Sequence, residues 1–185
     1  NAIEPVLFEV FDENKKNKDI KVSPYPFKRI PYNEAMERYG TDKPDLRNPL
    51  IVDDYTGIFK DSNFKIFSSQ IEKGSVVKGI IVKQSGEKPR SFFDKLNSWA
   101  RDEGAAGLGY ISFTEESFKG PIAKNLNDEE LKSFKLDDKD SIFFICDKLK
   151  EAQLFSGKVR EKICNELNLL NKKSFEFCWI VDFPM

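Results

Sequence analysis

Two short apolar runs do most to constrain how this chain can fold. Residues 75–82 hold five valines and isoleucines between Gly74 and Gly86, and residues 140–146 read DSIFFIC. β-Branched and aromatic residues favour extended backbone, and glycines commonly bound a strand. We therefore predict that both runs are strands, and that residues 75–82 form a central strand of a sheet.

The segments around these strands alternate between helical and extended patterns. We predict a strand at 64–67, a helix at 91–103 capped by Ser91, and a short helix capped by Asn127. A long helix is predicted at 149–169, with a possible kink at Gly157, and a last strand at 174–182. This order predicts an α+β fold, an antiparallel or mixed sheet with helices on one face, in a module spanning residues 61–171.

Residues 1–60 and 172–185 do not make a convincing domain by themselves. Residues 2–11 place Ile3, Val6 and Val10 at helical spacing, so they predict an amphipathic helix that packs on a surface outside this chain. Asn33 is predicted to cap a helix that ends at Gly40 in the left-handed conformation. We interpret both segments as parts of a neighbouring domain that leads into the module and away from it.

A rigid, highly charged loop follows that second helix. Pro44 and Pro49 each fix a backbone angle, so charged side chains between them are held in defined directions. Such a loop can be aimed at anionic groups, or it can be a self-paired turn that joins two elements. The charged candidates are Arg38, Asp42, Lys43, Asp45 and Arg47.

Composition excludes several kinds of site. The chain has no histidine, which excludes histidine triads, HExxH metal sites and a histidine general base within it. Its three cysteines are widely spaced and include no CxxC, so neither a disulfide framework nor a zinc site is indicated. The net charge of −1 gives no general basic footprint for nucleic acid. No apolar run reaches the length of a membrane span, and we expect a soluble protein.

A glycine-rich stretch at residues 104–111 (GAAGLGYI) follows a helix and opens a strand. A dinucleotide fold needs the reverse order, a strand, then the glycines, then a helix. The stretch therefore predicts close approach of another backbone or ligand, and it does not indicate a nucleotide site.

Several segments, in order, resemble bacterial-type aspartyl-tRNA synthetases. Residues 32–48 resemble the segment after the second class motif, and residues 179–185 (WIVDFPM) resemble the strand that returns to the catalytic domain after a large insertion. Residues 104–111 and 120–126 resemble loops of that insertion, a module shared with glutamyl-tRNA amidotransferase subunits. Ala106 stands where that family commonly has lysine.

The resemblance implies an internal segment of a class II synthetase. Residues 1–60 would be a partial catalytic-domain segment and junction, residues 61–171 the insertion domain, and residues 172–185 the returning strand. The parent would be a cytoplasmic homodimer that uses ATP and magnesium to charge tRNA(Asp) with aspartate through an aspartyl-adenylate. No catalytic or metal-binding residue carries over from the family to this chain. We therefore expect the chain alone to be inactive and to bind no cofactor, and we expect no membrane or DNA partner.

The resemblance also implies roles for individual residues. The five charged loop residues and Asp182 would order the junction, and Lys43 and Asp182 are expected to be neighbours at a common neck. Lys124 is a candidate tRNA contact, although a lone surface lysine is more often simply solvated. Two other hypotheses are a protein-interaction module that docks an amidotransferase or another translation partner, and an independent enzyme that uses aspartates and lysines.

Overall fold

The computed structural model describes residues 2–185, which form seven α-helices and nine β-strands. The helices are α1 Ile3–Glu13, α2 Tyr32–Tyr39, α3 Thr56–Lys60, α4 Lys65–Glu72, α5 Arg90–Asp102, α6 Asp128–Ser133 and α7 Leu149–Glu166. The strands are β1 Lys21–Val22, β2 Lys28–Pro31, β3 Val52–Asp54, β4 Val76–Val82, β5 Gly109–Thr114, β6 Ser117–Lys119, β7 Ser141–Asp147, β8 Ser174–Phe175 and β9 Cys178–Val181.

A five-stranded antiparallel sheet organises most of the molecule, with the strand order β3-β4-β7-β5-β6. The two apolar runs are its neighbouring central strands, β4 and β7, which pair along seven residues and place Ile80 opposite Phe143. The predicted α+β class is confirmed, as is the central position of residues 76–82.

Helices cover both faces of this sheet, whereas the sequence pattern led us to expect them on one face only. Successive side chains of β4 alternate, so Ile80 packs with α5 and α7 while Val77 packs with α3, α4 and α6. The expectation of a single helical face was wrong because β4 and β7 carry apolar residues at successive positions, which supply a buried surface on each side.

The two terminal regions meet at a neck beside the sheet. Strand β1 pairs with β8 and strand β2 pairs with β9, both in parallel, and Pro31 lies opposite Val181. Asn171 N donates to Arg47 O at 3.0 Å, which ties the charged loop to the segment after α7. We call the segments 21–49 and 171–182 the neck. The boundaries 61–171 remain a prediction, and β3 of the sheet lies before residue 61.

Several local predictions were wrong. Residues 65–67 belong to helix α4, because Phe64, Phe67 and Ile71 follow helical spacing and pack in one cluster. Neither Asn33 nor Ser91 caps a helix, since Pro31 and Pro89 occupy those positions. Helix α7 ends at Glu166, and the last segment forms two short strands. Among residues 2–185, no helix combines the length and apolar character needed to cross a membrane.

Candidate functional site

The charged loop of the neck is largely paired with itself. Arg47 donates to Asp45 through Nε–Oδ1 at 2.9 Å and Nη2–Oδ2 at 2.7 Å, and its backbone nitrogen also donates to Oδ1. The Arg47 guanidinium lowers the pKa of Asp45, and Asp45 raises the pKa of Arg47. Lys43 pairs with Asp42 at 3.0 Å on the surface. Four of the predicted loop residues therefore form two local ion pairs.

The other two predicted neck residues lie on the surface without such pairs. Arg38 is exposed in the last turn of α2 and takes part in none of the ion pairs between described residues. Asp182 is exposed at φ 56°, just after β9. The next residue, Phe183, contacts the ring of Tyr32 at the start of α2, with centroids 5.1 Å apart. The neck thus brings the two ends together.

A buried arginine that the sequence analysis missed holds the loop in place. Arg160 on α7 is 2% exposed and donates to Leu50 O at 2.5 Å, Asn48 O at 2.7 Å and Asp45 O at 2.8 Å. Its guanidinium also lies 5.0 Å from the ring centroid of Tyr39. The only sequence signal was an arginine beside Val159 on the apolar stripe of α7.

Two further contacts fix α2 of the neck to the sheet module. Gly157 on α7 touches the end of α2 so closely that a Cβ there would lie 2.6 Å from Gly40 O. Lys78 on β4, 2% exposed, donates to Glu37 on α2 and to Asp54 on β3. Helix α7 continues through Gly157, where the missing side chain permits a backbone-to-backbone crossing.

Lys124, the predicted tRNA contact, lines a groove of about 910 Å³ at one end of the sheet. The groove runs between α4, the end of α5, the glycine-rich loop and the turn at 121–125. Its floor includes Phe144 and Cys146 at the end of β7. We call this feature the α4–α5 groove.

Three cations line the α4–α5 groove, namely Lys65, Arg101 and Lys124. All three are exposed, and none takes part in an ion pair within residues 2–185. One carboxylate, Asp147, shares the lining, so the groove has an excess of positive charge in a chain of net charge −1. The fold alone unites these cations, because they are far apart in sequence.

A second, smaller cavity of about 410 Å³ lies at the start of α5 and has a different electrostatic character. Its three cations are Lys88, Arg90 and Lys119, and its two carboxylates are Glu87 and Glu115. Arg90 pairs with Asp94, and Lys119 pairs with Glu115. With two carboxylates beside three cations, this cavity has a smaller excess of positive charge than the α4–α5 groove. The α4–α5 groove is therefore the stronger candidate for an anionic ligand.

Binding rather than covalent chemistry suits the α4–α5 groove. Its one thiol, Cys146, is half-buried, and burial together with the nearby Asp147 raises its pKa to about 11. A thiol with that pKa is protonated near neutral pH and is a poor nucleophile. No group of three or more metal-binding side chains was found in residues 2–185 that could hold a metal ion.

Comparison with known proteins shows one matching domain and similarity to a set of ligases. Residues 67–154 match the model of the GAD domain. Over its whole length, the chain is 52% identical to the aspartate–tRNA(Asp/Asn) ligase of Paramagnetospirillum magneticum and 51% identical to that of Rickettsia canadensis. The corresponding ligase of Gluconobacter oxydans is 49% identical. The chain spans 21% of the first relative and 31% of each of the other two.

Some candidate residues lie in the GAD domain, and others lie in the neck. Arg101 and Lys124 lie within the GAD match, and Lys65 lies two residues before it. Lys78 also belongs to the match, whereas its partners Glu37 and Asp54 precede it. The α4–α5 groove is thus mainly a feature of the GAD domain, and the neck contacts link that domain to the preceding segment.

Proposed function

We propose that this chain is an internal segment of an aspartate–tRNA ligase in which the GAD domain helps to position the tRNA acceptor arm. The whole ligase would charge tRNA(Asp) with aspartate through an aspartyl-adenylate, as a cytoplasmic homodimer. The observation that carries the proposal is the α4–α5 groove, where three cations without carboxylate partners converge on the GAD domain. Unpaired lysine and arginine side chains are the usual contacts to nucleic-acid phosphates.

ATP and magnesium would be bound by other parts of the ligase. The resemblance carries no catalytic or metal-binding residue over to this chain. No catalytic step is therefore assigned to this chain. Its proposed contribution is to bind and orient RNA.

The surface of α1 supports a place next to a catalytic domain. Val6 and Val10 are 58% and 49% exposed on one side of this helix, while Phe11 packs on Phe175 and Phe177. We propose that the exposed side packs on the sheet of the catalytic domain. The neck, with Arg38, Asp42, Lys43, Asp45, Arg47 and Asp182, would order the junction between the two domains.

Binding of a tRNA(Asp) transcript to the chain tests the proposal. We expect binding that weakens in Arg101→Ala and Lys124→Ala, because each variant removes one phosphate contact. The matched control is Lys132→Ala, an exposed lysine on α6 that does not line the groove. Equal binding by all four proteins would contradict the proposal.

An exchange assay and a capture assay separate the alternatives. We expect no aspartate-dependent exchange between ATP and pyrophosphate by the chain alone, and its appearance would contradict a non-catalytic role. Nuclease-treated lysate should yield no protein that binds the groove. A defined translation partner that is captured without RNA and lost in Arg101→Ala would favour protein docking instead.

A further inference from the structure

We infer that the α4–α5 groove binds an unpaired nucleotide of RNA, with the base inside the groove and the phosphates among Lys65, Arg101 and Lys124. This inference rests on the proposed function and specifies what part of the RNA enters the site. Three properties of the groove support it: its concave shape, its apolar surface and its unused amide groups.

The shape of the groove favours a single unpaired nucleotide over a duplex. Its volume of about 910 Å³ falls in the range of small-ligand sites. An RNA duplex presents a convex backbone with its bases stacked inside, so it could touch only the rim. A base that is splayed out of a stack can enter a groove and meet the side chains there.

Apolar side chains at the α4 side supply a surface for the face of a base. Phe64 is half-buried against Phe67, with ring centroids 4.8 Å apart, and Ile66 beside it is 67% exposed. Aromatic side chains next to cations are typical of surfaces that hold single-stranded nucleic acid, because bases stack on them.

Side-chain amides in the groove provide hydrogen-bonding groups for a base edge. Asn97 Oδ1 accepts from Leu108 N at 2.9 Å, which fixes the side chain against the glycine-rich loop. Its amide nitrogen, and the side-chain amides of Asn63 and Gln70, make no hydrogen bond to the rest of residues 2–185. The Asn97 amide nitrogen can donate to a base, and the amides of Asn63 and Gln70 can donate to it or accept from it.

Arg101 lies where a phosphate next to that base could be bound. A Cβ on Gly107 would be 3.8 Å from Arg101 Nε and 2.9 Å from Asn97 Oδ1, so the arginine lies beside the loop that Asn97 holds. Arg101 and Asn97 therefore share one wall of the groove. A nucleotide has the same combination of an anionic phosphate and a polar base edge.

Two labelled RNA hairpins test the inference with the whole chain. They share one stem, and only one of them has an unpaired extension; binding is measured by fluorescence anisotropy. We expect the extended hairpin to bind roughly tenfold more tightly than the blunt one, in line with the stacking of a single base. Ile66→Asp, a substitution at an exposed position, should abolish the difference between the hairpins, and Lys132→Ala should leave it intact.

The possible results separate this inference from the function on which it rests. If both hairpins bind equally and Arg101→Ala weakens that binding, the inference is overturned and the proposed positioning of tRNA still stands. Failure of both hairpins and of tRNA(Asp) to bind would overturn both. Polyglutamate that binds as tightly as the extended hairpin, with the same loss in Arg101→Ala, would show a general anion site and overturn the inference. Circular dichroism of each variant confirms that it is folded.

Discussion

At the scale of single residues, the neck depends on one buried guanidinium. Arg160 satisfies the carbonyls of Asp45, Asn48 and Leu50 with a planar group that no other side chain reproduces. Burial lowers its pKa, but an arginine remains charged at any pH at which the protein is folded. The loop therefore depends on α7 for its shape.

Replacement of this arginine should be costly. We expect Arg160→Met to lower the free energy of unfolding by about 3 kcal/mol, because buried carbonyls lose their donors. Lys158→Met on the same helix removes an exposed pair with Glu103 and should change it by less than about 1 kcal/mol. Urea unfolding monitored by circular dichroism measures both values. Equal stability of the two variants would show that Arg160 does not support the loop.

The pair of Asp45 and Arg47 predicts a pH dependence. The pKa of Asp45 is lowered in the folded state, so its contribution to stability is complete above its unfolded pKa of about 3.9 and is lost as the pH falls through the folded value. We expect Arg47→Gln to cost under about 1 kcal/mol at neutral pH, since the pair is partly exposed, and the difference to shrink in acid. Urea unfolding at several pH values measures this difference, and a difference that does not shrink in acid would contradict the role of the Asp45 carboxylate.

At the scale of elements, strong local signals predicted the sheet and part of the helices. The apolar runs predicted β4 and β7, and Asn127 caps α6 as expected, in a capping box with Glu130. We predicted a strand at residues 64–67 because three of the four are apolar. Their helical spacing becomes visible only when Ile71 is included. The α4–α5 groove could not be predicted beyond Lys124, since its cations meet only through tertiary packing.

The crossing of α2 and α7 gives a prediction for a pair of glycines. Gly157→Ala should lower the free energy of unfolding by about 2 kcal/mol, because a Cβ would meet backbone atoms of Tyr39 and Gly40. Gly57→Ala in α3 meets nothing within 4 Å and should raise it by roughly 0.5–1 kcal/mol through helix propensity. Urea midpoints of the two variants should therefore shift in opposite directions. A stabilised Gly157→Ala protein would mean that the helices do not approach this closely.

At the scale of the whole molecule, the neck and the sheet module are joined by several buried contacts. Arg160, the glycine crossing and Lys78 all connect segments that are distant in sequence. Contacts of this kind should make the two parts unfold together. A rigid connection would also let RNA bound in the α4–α5 groove take a fixed orientation relative to a domain beyond the neck.

The two tryptophans make this coupling measurable, because Trp99 lies on α5 of the GAD domain and Trp179 lies on β9 of the neck. We expect Trp99→Phe and Trp179→Phe, each with one tryptophan left, to show coincident unfolding transitions in urea. Glu37→Gln and Asp54→Asn are then introduced together into each single-tryptophan protein. They leave the Lys78 ammonium, which is 2% exposed, without its anionic partners and should lower the free energy of unfolding by about 3 kcal/mol.

That double substitution should also separate the transitions, with Trp179 changing at lower urea than Trp99. Lys78→Met should instead change the free energy of unfolding by less than about 1 kcal/mol. The half-exposed carboxylates of Glu37 and Asp54 return to water, and the methionine side chain still packs in the buried site. Glu103→Gln, which removes a surface pair with Lys158, is the control for a carboxylate change without burial. Coincident transitions after Glu37→Gln and Asp54→Asn would contradict the role of Lys78 as a link. The neck and the sheet module would then still unfold as one cooperative unit without the ion pairs of Lys78.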